Sequence, residues 1–187
     1  MPAGMTSATL VGSTSGLPPR VPPLRYARVA DGLHRGAYPS LINMRFLKTL
    51  RLRTLLTLTP EPPNRDLAAW CASHSISALS AAVSPFSEEV TLSHERAAEL
   101  LAVVLDPEAH PLYLHCIDGV AVTGTLVMCL RKLLRWSDVA SAHEYARFAR
   151  VGEGMSQPPP QHVLRFVRDF RPEQALSRLQ SVPRWLA

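Results

Sequence analysis

Lysine is almost missing from this chain: of 20 basic residues only Lys48 and Lys132 are lysines, and the rest are arginines. Cysteine is scarce as well. Cys71, Cys116 and Cys129 are odd in number and lack paired ligand spacing, which argues against a disulfide framework or a zinc site. His74, His94, His110, His143 and His162 share no metal-ligand spacing either, so no metal and no cofactor is expected. No apolar run approaches the roughly 20 residues of a membrane span. The net charge of +5 comes without any block of consecutive bases. The arginine excess therefore reads either as compositional bias or as contact with phosphate or RNA. The first 23 residues contain no acidic residue and one base, Arg20. They read as a flexible arm, since prolines, glycines and hydroxyl residues alone build no packed element. With the thiols unpaired, a reducing compartment is expected, the cytoplasm. Mitochondrial import is the alternative that an acid-free leader suggests.

What is present builds one domain. At 187 residues and 47% hydrophobic content the chain is long enough for a sizeable core. We divide it into the arm at 1–23, a domain at 24–171 and a tail at 172–187. Short strands are expected at 25–29 and 32–35 around an Asp31-Gly32 turn. The segment 41–50 has helical spacing, and 54–58 (TLLTL) is an apolar, β-branched strand. Pro60, Pro62 and Pro63 break that strand, and Asn64 caps a helix reaching about His74. A strand at 76–79 and a helix at 93–105 capped by Ser93 follow. Strands alternating with helices predict an α/β, three-layer sandwich around a mostly parallel central sheet. Helices at 137–150 and 161–170 flank a linker with two glycines and three consecutive prolines. Trp185, near the terminus, is either tucked into a groove or a contact for a partner.

The chain is organised around residues 111–136, PLYLHCIDGVAVTGTLVMCLRKLLRW. A strand ending at His115-Cys116, a tight loop and a helix start place successive backbone N–H groups around one point, an anion cradle. A cysteine at its head is where a thiolate nucleophile is stabilised. The pattern resembles the protein-tyrosine-phosphatase superfamily: His-Cys, five loop residues, Arg, Ser or Thr, Gly. Here it reads His115, Cys116, then Ile117, Asp118, Gly119, Val120 and Ala121, then Val122, Thr123 and Gly124. The wider text resembles the plant and fungal atypical dual-specificity phosphatases, which include inositol-pyrophosphate phosphatases. Cys129-Leu130-Arg131-Lys132, Trp136, Glu144-Tyr145 and Arg147-Phe148 fit their continuation, as do 29–39 and 46–58 upstream. The resemblance implies the dual-specificity phosphatase fold, His115 as a loop-orienting residue and Arg35 at the base of the sheet. It also implies Thr123 as the hydroxyl that assists loss of phosphate from sulfur.

Two positions depart from the pattern. The arginine position holds Val122, and Val120 stands where the atypical dual-specificity phosphatases typically carry a lysine, in His-Cys-x-x-Gly-Lys-x-Arg-Thr-Gly. A guanidinium there grips two phosphate oxygens and stabilises transition-state charge, and valine does neither. Asp118 adds a carboxylate that repels a phosphate dianion and disfavours the Cys116 thiolate. The loop at 80–92, where such enzymes carry an aspartate acid, has none, and Glu88 and Glu89 are the nearest substitutes. Their other reading is favourable charge before the next helix. The expectation is a catalytically impaired phosphatase-like protein, a pseudophosphatase, serving as a binding or assembly module. Its partners would be a protein or larger assembly, with contact to RNA or a ribonucleoprotein a further reading. The alternative is a weakly active cysteine-dependent phosphatase on phosphotyrosine or inositol pyrophosphate, forming a phosphocysteine, with a cation supplied from elsewhere.

Overall fold

The computed structural model describes residues 19–151 and 155–186; most of the expected arm and the glycines of the linker lie outside the described residues. The sheet is built from β1 (Ala27–Ala30), β2 (Leu33–Ala37), β3 (Thr54–Thr59), β4 (Ser77–Ala82) and β5 (Leu112–Cys116), in the order β1-β2-β5-β3-β4. Only β1 runs antiparallel to its neighbour. Helices α1 (Met44–Thr49), α2 (Arg65–Ser73), α3 (His94–Leu105), α4 (Ala121–Leu133), α5 (Asp138–Phe148), α6 (Gln161–Asp169) and α7 (Glu173–Leu176) complete the fold. The two-residue strands β6 (Arg150–Val151) and β7 (Met155–Ser156) pair in the expected linker.

The layers follow from the alternation of side chains along the two central strands, β3 and β5, which are buried throughout. Leu55 and Tyr113 face α1 and α2, where they pack with Leu47, Leu67 and Cys71. Their neighbours Leu56, Leu58, Leu112 and Leu114 face the other way, onto Leu101, Leu105, Leu126 and Leu130 of α3 and α4. This is the mostly parallel, three-layer sandwich read from the strand–helix alternation. Asn64, Ser93 and Ser137 each accept a hydrogen bond from the backbone N–H three residues on, so the polar residue before each apolar stretch caps its helix. Within the tail, Ala175 of α7 is fully buried. Trp185 donates to the Asp31 carbonyl at 3.1 Å and stacks on His110, so its ring is held against the body.

Candidate active site around Cys116

Cys116 is the last residue of the central strand, so its sulfur emerges at the carboxyl end of the sheet, beside Ala37 of β2. The loop then turns sharply into α4. Gly119 has φ +75°, and a Cβ there would lie 2.6 Å from the Gly36 carbonyl carbon, so only glycine fits. Three successive carbonyls are pinned outward. That of Ile117 accepts from Tyr38 N–H at 3.2 Å, that of Asp118 from Arg25 Nη1 at 2.9 Å, and that of Gly119 from Arg35 Nη2 at 2.8 Å. In a trans peptide the following N–H points opposite to the carbonyl, so the amides of Asp118, Gly119 and Val120 turn inward. The anion cradle is intact as a backbone.

Its supports are buried. Arg35 is 1% exposed, its guanidinium 4.1 Å above the Phe148 ring, with Nε and Nη1 making no hydrogen bond. Burial pushes its pKa down to about 10, so it remains a cation at neutral pH. His115 is fully buried, and its Nε2 lies 3.0 Å from Thr57 Oγ1. Its Nδ1 faces the Cys116 carbonyl at 3.4 Å, which can only accept, so Nδ1 carries the proton and Nε2 accepts from Thr57. Burial pushes its pKa down to about 4, leaving a neutral ring that orients the loop and does not reach into the cavity. Farther along α4, a Cβ at Gly124 would lie 2.7 Å from the Tyr145 ring. Arg131 forks onto both Glu144 oxygens at 2.7 Å, donates to the Val29 carbonyl and stacks on Trp136. These contacts account for the Arg, Trp and Glu-Tyr residues of the downstream motif: they clamp α4 to α5 and to the sheet edge.

The mouth is different in kind. Asp118 Oδ1 accepts the Val120 N–H at 2.9 Å and the Cys116 thiol at 3.4 Å. The loop's own carboxylate thus takes one of the amides an anion would use. Burial, and then Asp118, push the Cys116 thiol pKa up, against the opposing pull of the Thr123 hydroxyl and the Thr123 and Gly119 amides. Upward wins, so the group is a thiol at neutral pH. Beyond this pull on the sulfur, the buried Thr123 hydroxyl has no hydrogen-bond partner among the described residues. Val122 is 3% exposed and packs into the core. The cavity beside the sulfur, about 220 Å³, is lined by Leu58, Val83, Pro85, Phe86, Ile117 and Val122, with Cys116, Asp118 and Ala121. No cation lines it. The two arginines that reach the loop, Arg25 and Arg35, donate to backbone carbonyls on its underside.

Glu88 and Glu89 do not line this cavity, because Val83, Pro85 and Phe86 form the wall and the chain beyond bends into solvent. Nor do they stand at the start of α3, whose first turn holds Glu95. Two contributors escaped the sequence reading. Phe86 closes the cavity, and Arg25 anchors the loop from a position that no motif marks. Among the described residues no cluster of three or more His, Cys, Asp or Glu side chains can hold a metal. None of their helices is long and apolar enough to cross a membrane.

Residues 20–186 match a tyrosine phosphatase family. Inositol diphosphatase DSP1 of Oryza sativa subsp. japonica is 38% identical over 151 residues, 80% of this chain and 65% of the rice protein. Inositol diphosphatase DSP4 of Arabidopsis thaliana is 36% identical over 130 residues, 69% of this chain and 66% of its own. The chain thus spans just under two thirds of the length of these relatives. Among solved structures, the core catalytic domain of the PP-IP phosphatase Siw14 from S. cerevisiae superposes with a TM-score of 0.74 at 25% identity. The match covers 84% of this chain and 91% of that one. TpbA of P. aeruginosa shares the fold, with a TM-score of 0.61 at 18% identity over 83% of this chain and 91% of its own.

Proposed function

The chain belongs to the tyrosine phosphatase family, and from that premise we propose that it is a catalytically impaired member, a phosphatase fold kept as a binding or assembly module. One observation carries this reading: Asp118 sits in the loop's own amide cradle while Val122 stands where the family has its arginine. Cysteine-dependent dephosphorylation needs a thiolate to attack phosphorus and donors to hold the equatorial oxygens as charge builds on them. Here the nucleophile is held as a thiol, the fork-shaped cation is a buried methyl pair, and the nearest side-chain charge has the wrong sign. Loss of one such contact costs on the order of a thousandfold in rate, and the added carboxylate makes the deficit larger. The apolar wall with one carboxylate suits a neutral or cationic apolar group of a protein partner better than a phosphate.

A second reading is a weakly active cysteine-dependent phosphatase on phosphotyrosine or an inositol pyrophosphate. It draws its support from the relatives, which are named inositol diphosphatases, and from the retained Cys116, Thr123 and inward amides. A phosphoanhydride leaving group needs little help from an acid, so Glu88 and Glu89 standing outside the cavity do not count against it.

Phosphate release from an aryl phosphate and from an inositol pyrophosphate separates the two. The impaired reading expects wild type to equal Cys116→Ser at background. Turnover by wild type that Cys116→Ser abolishes establishes the second reading, with a cation brought from outside the loop.

A further inference from the structure

The two edges of the sheet are finished in opposite ways. The β1 edge carries the devices that keep edges from pairing: it is four residues long, its register shifts between Arg28 and Ala30, and Arg28 puts a charge on it. Arg131 also caps the Val29 carbonyl. The β4 edge carries none of them. It runs six residues, Ser-Ala-Leu-Ser-Ala-Ala, with no charge, no proline and no bulge, in unbroken parallel register with β3.

The bonds at its two ends fix which backbone groups are free. Ser77 N–H donates to the Arg53 carbonyl and Val83 N–H to the Thr59 carbonyl. Alternation by two therefore turns residues 77, 79, 81 and 83 toward β3. Ala78, Ser80 and Ala82 turn N–H and C=O outward, all three are exposed, and none of these groups has a partner among the described residues. Leu79 is 37% exposed beside an open groove of about 660 Å³, whose walls include Ala102, Val103 and Leu179.

We propose that β4 pairs antiparallel with β4 of a second copy of this chain, joining two five-stranded sheets into one. This does not rest on the reading of the cysteine site. The strand is complementary to itself. With Ser80 opposite Ser80 on the two-fold axis, Ala78 faces Ala82 at both sides, and all three outward residues form the hydrogen-bonded pairs of an antiparallel ladder. Side chains of this size leave room for close approach, and no like charges face each other across the ladder. The same operation sets the Arg53 end of each β4 against the end from which the other copy runs on to Glu88 and Glu89. Among the described residues neither glutamate makes an ion pair, and the one Arg53 makes with Glu108 is exposed, with side chains at 60% and 86%. Such a pair is weak and easily exchanged. Since the strands run in opposite directions, the two Cys116 sites open at opposite ends of the joined sheet, giving a bivalent module.

Light scattering on the full chain at micromolar concentration tests this. A mass twice the 20.6 kDa of the chain is expected for wild type. Ser80→Pro removes an N–H that β3 does not use, and Ser80→Lys sets two cations on the axis. Each is expected to give the monomer mass with unchanged circular dichroism. Ser80→Cys is expected to form a disulfide across the axis, where a hydrogen-bonded pair brings Cα atoms within bridging distance, while Ser77→Cys does not. The native cysteines are buried and stay out of the reaction. Hydrogen exchange should be slow at the amides of Ala78, Ser80 and Ala82. A monomeric wild type overturns the proposal, and so does a dimer that survives both Ser80 variants. A monomer whose β4 amides become protected only when another protein is added also overturns it, and assigns the edge to a foreign strand.

Discussion

The loop at Cys116 has an underside and a mouth, and they have parted company. Beneath, Arg25, Arg35 and the Tyr38 amide hold three carbonyls outward, His115 is locked to Thr57, and Gly119 presses against Gly36. At the mouth, Val122 is a buried apolar side chain, Asp118 accepts the Val120 N–H inside the loop, and Phe86 and Val83 form an apolar wall. The underside is what the fold needs: Arg35 and His115 are buried polar groups, and a buried polar group that loses its partner costs stability. The mouth is what the chemistry needs; Asp118 there is exchangeable without disturbing the fold, whereas Val122 and Val83 are also packed into the core. On the function proposed above, the scaffold and the chemistry rest on different atoms of the same loop.

The largest effect is expected where the scaffold behind the loop is cut. Glu144→Ala strands the Arg131 guanidinium, whose side chain is 6% exposed. A cost of about 3–4 kcal/mol in unfolding free energy by urea titration follows from an uncompensated buried charge. A loss under about 1 kcal/mol would mean that Trp136 and the Val29 carbonyl hold the cation unaided.

Next is the pH dependence of the underside. The His115 pKa is depressed from 6.5 to about 4 by burial, so its contribution is present above pH 6.5 and is lost as pH falls through 4. That amounts to roughly 3 kcal/mol over the window. The difference between wild type and His115→Gln in urea titrations across pH 7 to 4 isolates it. Identical pH profiles would place His115 outside the buried framework.

The smallest stability change belongs to the mouth. Asp118→Asn is expected to shift unfolding by less than about 1 kcal/mol, since an amide oxygen can still accept from Val120. It should lower the pH at which Cys116 is alkylated by iodoacetamide, because a carboxylate that disfavours the thiolate is gone. The midpoint should stay above that of a free thiol, because burial, the larger cause, remains. An upward or absent shift would remove Asp118 from the account of the mouth.

Most of the scaffold was legible in the sequence. Asn64, Ser93 and Ser137 announced their helices, and the unbroken apolar, β-branched run TLLTL announced a buried strand. β4 was read at 76–79, one residue early at its start and three short at its end, because serine and alanine carry little strand preference and only pairing with β3 extends it to Ala82. In the site, Val122 and Val120 were legible as absences against a pattern. The fold of Asp118 onto Val120 N–H had a signal, since an Asx residue bonding the amide two positions on, before glycine, is a local turn. Its effect on the Cys116 thiolate was read from its place in the loop, but the hydrogen bond from the thiol to Asp118 Oδ1 was not. Arg25 was illegible, because it reaches the loop across 93 residues of sequence, and so was the outward bend that takes Glu88 and Glu89 away from the cavity.

The most direct test of the account is calorimetric titration of tungstate, an oxyanion of phosphate-like shape, into wild type and into the double variant Val122→Arg, Asp118→Asn. The account predicts no saturable binding by wild type up to millimolar anion. The double variant, which restores the cation and frees the cradle over an unchanged underside, is predicted to bind saturably. Saturable micromolar binding by wild type would show that the mouth still accepts an oxyanion and would contradict the separation of scaffold from chemistry.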